Sequence, residues 1–172
     1  VRPGDVALVR PNGWLGEVIS VDTRSPYCHA RMITASDGST VEANPPGAYR
    51  GKVQPGDVIV TAPLTDEQRA QIAEVAEKLV GTPYGFLDVG ALGLAQFGLR
   101  LPFLEARLGR TDRLFCSQLV DLVWQRVGFR AFTPETDPDF QRTGKERLPQ
   151  DVTPGDLADL AFCSSWHAEV LR

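Results

Sequence analysis

Five side chains bound the chemistry open to this 172-residue chain: the thiols of Cys28, Cys116 and Cys163 and the imidazoles of His29 and His167. None is spaced as a metal-ligand motif, and the odd cysteine count leaves at least one thiol unpaired. Cys116 is the thiol best placed to react. After it, Leu119, Val120, Val123, Trp124 and Val127 recur at the spacing of one buried helical face, and Gly128 ends the run. The spacing predicts a helix with Cys116 in its first turn, where unpaired backbone N–H groups and the positive end of the helix dipole favour thiolate over thiol. The competing reading makes Cys116 merely the first residue of the buried stripe, since free cysteine packs well in cores. A base decides between them.

A cysteine nucleophile gives its proton to an imidazole, which a third polar group holds in the working tautomer. His29 opens the strand-like run from His29 to Ile33, and Glu42 and Asn44 belong to the run after it. With a turn centred between Asp37 and Gly38, period-two counting puts His29 and Glu42 on one sheet face. Glu42 then lies opposite Ile33, and Asn44 lies diagonally nearer the imidazole. Counting alone leaves both open as the third group. His167 falls in a late strand-like run, Trp166 to Leu171, as a structural or exposed residue.

These residues must be carried by a sheet and a few helices. Pro-Gly-Asp at 3–5 and at 55–57 reads as a turn launching the strands Val6–Val9 and Val58–Val60, and Gly16 to Val21 reads as a further strand. Ala30–Thr34 and Ser39–Ala43 form a hairpin around Ser36-Asp37-Gly38. Thr65-Asp66-Glu67-Gln68 is a capping box for a helix to about Val80, with Ile72, Val75, Ala76, Leu79 and Val80 on its apolar face and Gly81 past its end. Thr153 caps a short helix with Pro154 at its first position. Phe132 to Pro149, polar and proline-containing, reads as a long surface loop framing a cleft. Phe86 to Leu104 is apolar but interrupted by Asp88, Gln96, Arg100 and glycines, which favours a buried helix or lid beside the site over a membrane span.

Gly81-Thr82-Pro83-Tyr84 together with Phe115-Cys116-Ser117-Gln118-Leu119-Val120 resembles the paired motifs of the NlpC-type cell-wall peptidases, which are papain-fold cysteine enzymes. In ordinary members the cysteine helix precedes the histidine strand. Here His29 precedes Cys116, so the chain resembles the circularly permuted, YiiX-type branch, from Pro3 to about Gly128. The resemblance implies an α+β, papain-like fold in which an antiparallel sheet packs against a helix carrying the cysteine at its N-terminus. It implies Cys116 as nucleophile, His29 as base and Glu42 as third group, because Val41-Glu42-Ala43 matches the family's strand for that residue. Tyr84, Phe115 and Ser117 become candidate substrate-binding residues. Phe115 replaces the aspartate of many ordinary members and implies a drier pocket, while Cys28 is expected to be a packed thiol. No metal or organic cofactor is implied.

The implied reaction is amide cleavage through a thioacyl enzyme, with peptidoglycan peptides as substrate and a bacterial or phage cell-wall setting. A lipid-directed acyltransferase or thioesterase would use the same Cys-His site, with Phe86 to Leu104 lining an acyl pocket. A non-catalytic binding module of the same fold is the third reading. Length and composition fit one domain over residues 1–172, with 42% hydrophobic and 23% charged residues. A net charge of −4 offers no basic surface for nucleic acid. No signal-peptide pattern opens the chain, but it begins with Val1 rather than methionine, which is compatible with loss of an upstream segment and leaves localisation open. Oligomeric state is likewise open.

Overall fold

The computed structural model describes residues 1–11, 25–83, 115–137, 140, 144, 152–162 and 166–171. Within them six strands form one antiparallel sheet: β1 (Val6–Val9), β2 (His29–Ile33), β3 (Ser39–Asn44), β4 (Gly47–Lys52), β5 (Val58–Thr61) and β6 (His167–Val170). Their spatial order is β4-β3-β2-β1-β5-β6. Three helices accompany them: α1 (Asp66–Glu77), α2 (Cys116–Arg126) and α3 (Pro154–Asp159), the last continued by a 3-10 turn over Leu160–Phe162.

Alternation along the strands divides the sheet into two faces. One face presents Val6 and Leu8 of β1, Ala30 and Met32 of β2, and Val58 and Val60 of β5 to the core that α1 and α2 complete with Ile72, Leu119, Val123 and Trp124. Trp124 is fully buried, and its indole N–H donates to the Gly4 carbonyl at 2.9 Å, which ties α2 to the turn that launches β1. That turn requires glycine, because Gly4 sits at φ +91°. The other face carries the smaller cluster Ala7, Ile33 and Ile59. By the same alternation Arg31 belongs to it.

Several expected elements form as the residues dictate. Thr65 caps α1 through a reciprocal capping box with Gln68, and Thr153 caps α3 with Pro154 in the first turn. Helix α1 stops at Glu77 instead of reaching Val80, because residues 78–81 tighten into a turn closed by Gly81 at φ +86°. The strand β4 has no signal in the alternation reading. Its sequence Gly-Ala-Tyr-Arg-Gly-Lys holds two glycines and one buried residue, so only its full ladder with β3 makes it a strand. Asp137 is buried and Phe132 packs on the core, so residues 132–137 are not the free surface loop expected there. The expected strand at Gly16 to Val21 and the apolar stretch Phe86 to Leu104 lie outside the described residues. Among the described residues no helix is long and apolar enough to cross a membrane.

Candidate active site

Cys116 is the first residue of α2, with Phe115 as an extended N-cap that makes no side-chain capping bond. Two backbone N–H groups help lower its pKa, one from Ala30 in β2 and one from Ser117 in the same turn. Availability of the Ala30 N–H follows from the sheet. β2 and β3 pair over Arg31–Ile33 and Thr40–Glu42 only, although β2 begins at His29 and β3 continues to Asn44. The ladder therefore ends beside Ala30, which leaves its N–H free of β3 and able to favour the thiolate.

His29, the residue before Ala30, bridges the thiol and Glu42. Its Nε2–H donates to Glu42 Oε2 at 2.7 Å, and the ring is close enough to Cys116 for the thiolate to raise its pKa. With Nε2 engaged, Nδ1 is the nitrogen left to exchange a proton with the thiol. Glu42 lies opposite Arg31 and not opposite Ile33 as the expected turn centre required. The turn is centred one residue earlier, which slides β3 by two positions and keeps the face while bringing Glu42 diagonally next to His29. Glu42 is thus the carboxylate on the ring. Asn44, the competing candidate, is exposed and interacts with the Tyr49 phenol.

Electrostatics in the site follow from this packing. Burial works against charge on His29, but the charge and hydrogen bond of the Cys116 thiolate, followed by Glu42, outweigh it and raise the imidazole to about 9. Burial likewise opposes the Cys116 thiolate, and the imidazolium charge and hydrogen bond, with the two backbone N–H groups, bring the thiol below its ordinary 9.0. Both shifts favour the ion pair over the neutral pair. Glu42 is buried too, which alone would raise it, yet the bonds and charges of His29 and then Arg31 hold it below the usual carboxylate value. Cys116 is 6% exposed and the His29 side chain 14%, so access to the pair is narrow.

The remaining candidates separate. Ser117 is wholly buried and its hydroxyl donates to the Val152 carbonyl at 2.5 Å, so its side chain ties α2 to the segment before α3 and does not face a substrate. Phe115 is buried at 5% exposure. Tyr84 lies outside the described residues. Cys28 is a half-buried free thiol 3.6 Å from the Val9 carbonyl, and burial followed by the Cys116 charge pushes its pKa up, away from reactivity. His167 is exposed in β6. Arg31 was missed by the sequence reading: its Nε donates to Glu42 Oε2 at 3.1 Å and its guanidinium also pairs with Asp57. The signal was the period-two relation of 29 and 31 on β2.

The fold defined by this sheet and these helices is mixed α+β, with the thiol where a helix start meets a parted ladder. No family model matches the chain, and no curated protein does. A solved structure does: the protein described as metalloprotein yiiX, DUF1105, from Escherichia coli O157:H7. It is similar with a TM-score of 0.63 and 18% identity, over 99% of this chain and 97% of that one. The chain shares a YiiX-like fold.

Proposed function

We propose that this chain is a papain-like cysteine amidohydrolase that cleaves an amide bond through a thioacyl enzyme, with the peptide stems of peptidoglycan as its substrate class. The observation that carries the reading is one imidazole held between a helix-start thiol and a buried carboxylate, His29 between Cys116 and Glu42. The permuted NlpC-like motif order supports the class, and the YiiX-like fold agrees with it.

In the proposed reaction the Cys116 thiolate adds to the scissile carbonyl carbon, and the backbone N–H at the helix start meets the developing oxyanion. The C–N bond breaks as the His29 imidazolium passes its Nδ1 proton to the leaving amine. Water then adds to the thioester, giving its proton to Nδ1, and the C–S bond breaks to restore the thiolate and imidazolium. Glu42 keeps the ring in the Nε2–H tautomer throughout.

The Escherichia coli neighbour is described as a metalloprotein. The donors here do not fit a metal: His29 commits Nε2 to Glu42, and no group of three or more His, Cys, Asp or Glu among the described residues could hold an ion. No step is routed through one.

A second reading, transfer of a lipid acyl group, would use the same thioacyl chemistry, with a cavity of about 540 Å³ lined by Leu8, Tyr27, Val58 and Val60 elsewhere on the sheet; neither Cys116 nor His29 is among its described lining residues. Tyr27 lies two residues before His29. The experiment that decides is incubation with muropeptides and, separately, with acyl-ester lipids, followed by mass spectrometry of the Cys116 peptide. A muropeptide-derived adduct, or muropeptide turnover lost in Cys116→Ala, supports the amidohydrolase. An adduct from lipid only overturns the cell-wall substrate, and no adduct or turnover with either favours a binding module.

A further inference from the structure

Glu42 does not hold His29 unaided. Its Oε2 accepts from His29 Nε2 at 2.7 Å and from Arg31 Nε at 3.1 Å, so one oxygen is shared by the imidazole and a guanidinium. Arg31 is itself anchored, through its Nη1 to Asp57 Oδ2 at 2.5 Å, and that oxygen is fixed in turn by the Gln54 backbone N–H at 2.8 Å. The Glu42 and Asp57 side chains are each only 5% exposed, and Arg31 is 15% exposed. The Tyr49 phenol, on β4, is the other group that reaches the Glu42 carboxylate. Among the described residues, then, the cations on Glu42 are His29 and Arg31.

These two cations differ over a reaction cycle. Once Cys116 is acylated and His29 has given its proton to the leaving group, both are neutral, and Glu42 loses the imidazolium that favours its charge. A buried carboxylate in that state tends to take up a proton. As a neutral acid it would donate to Nε2 and push the ring proton to Nδ1, where water must deliver its own. The guanidinium is a permanent cation. We propose that Arg31 is a positioning residue that keeps Glu42 anionic and in place while the thiol is acylated, so that His29 stays able to accept the proton of water. The role falls on thioester hydrolysis and not on thioester formation, and it rests on the thioacyl reading above.

The test uses p-nitrophenyl acetate, whose burst of p-nitrophenolate reports acetylation of Cys116 and whose steady state reports hydrolysis of the acetyl-thioester. Arg31→Met is expected to keep the burst rate while slowing the steady state by about ten- to a hundredfold, the worth of one charge-assisted hydrogen bond. Acetyl-Cys116 should accumulate by intact mass. Arg31→Lys, which keeps the charge, should recover most of the loss. If Arg31→Met fails to fold, Arg31→Met/Asp57→Asn removes the carboxylate left without its partner and carries the same expectation. An unchanged steady state, an equal fall in burst and steady state, or no recovery by lysine would overturn the assignment. Failure to detect acetyl-Cys116 by intact mass in both the parent and Arg31→Met, or a burst that survives Cys116→Ala, would instead sink the thioacyl reading and the Arg31 role with it.

Discussion

Substitution of Gly51 by alanine tests the Glu42 geometry from a residue that touches neither the thiol nor the imidazole. Gly51 lies opposite Thr40 on β4, and a Cβ built there would stand 2.1 Å from Glu42 Oε1 and 3.0 Å from Thr40 Oγ1. Ordinary contact begins near 3.5 Å, so the carboxylate would have to retreat by more than about 1 Å. It cannot do so and still hold His29 Nε2 at 2.7 Å and Arg31 Nε at 3.1 Å. Losing the bond to His29 is worth about 1.5–3 kcal/mol, which lowers the ratio of ion pair to neutral pair by about ten- to a hundredfold. The generic expectation has the opposite sign for stability, because alanine in a strand interior gains about 0.5–1 kcal/mol over glycine. Overpacking should reverse that gain and cost about 1–3 kcal/mol. The assay is the rate of Cys116 alkylation by iodoacetamide below the ordinary thiol value of 9.0, beside thermal unfolding. A Gly51→Ala protein that is as stable as its parent and alkylates at the parent rate would refute the reasoning.

Three further outcomes follow from the same contacts. Ser117→Ala leaves the buried Val152 carbonyl without its donor and should destabilise the fold by about 1–3 kcal/mol, while the alkylation rate of Cys116 measured well below the melting temperature stays near the parent value. Glu42 has a folded pKa below its ordinary 4.5, so the stability it contributes is present above 4.5 and lost as pH falls through the lower folded value. Urea titrations between those limits should show that loss in the parent and a flatter dependence in Glu42→Gln. Exhaustive dialysis against a chelator should leave both alkylation and p-nitrophenyl acetate turnover unchanged, and a loss restored by added metal would overturn the reading of the donor set.

Much of the site was legible because its parts are local. The helix-start position of Cys116 follows from a five-residue apolar stripe, and the shared face of His29 and Glu42 survives a register error of two, since parity along a strand does not change. What periodicity could not supply were tertiary facts. The end of the β2–β3 ladder, which frees the Ala30 N–H for sulfur, depends on where a helix docks. Arg31 reads as an ordinary solvated charge until Asp57 arrives from the turn before β5, and Ser117 reads as a site residue until Val152 reaches it from 35 residues away. β4, glycine-containing and mostly exposed, has no pattern of its own.

The central claim is that Cys116 and His29 exist as a thiolate–imidazolium pair. It is tested most directly by the pH dependence of Cys116 alkylation, resolved from Cys28 by peptide mapping, in the parent and in His29→Ala. The parent should show a Cys116 titration clearly below 9.0 that moves up on loss of the imidazole, with Cys28 unreactive over the same range. A Cys116 that titrates at or above 9.0 in both proteins would contradict it.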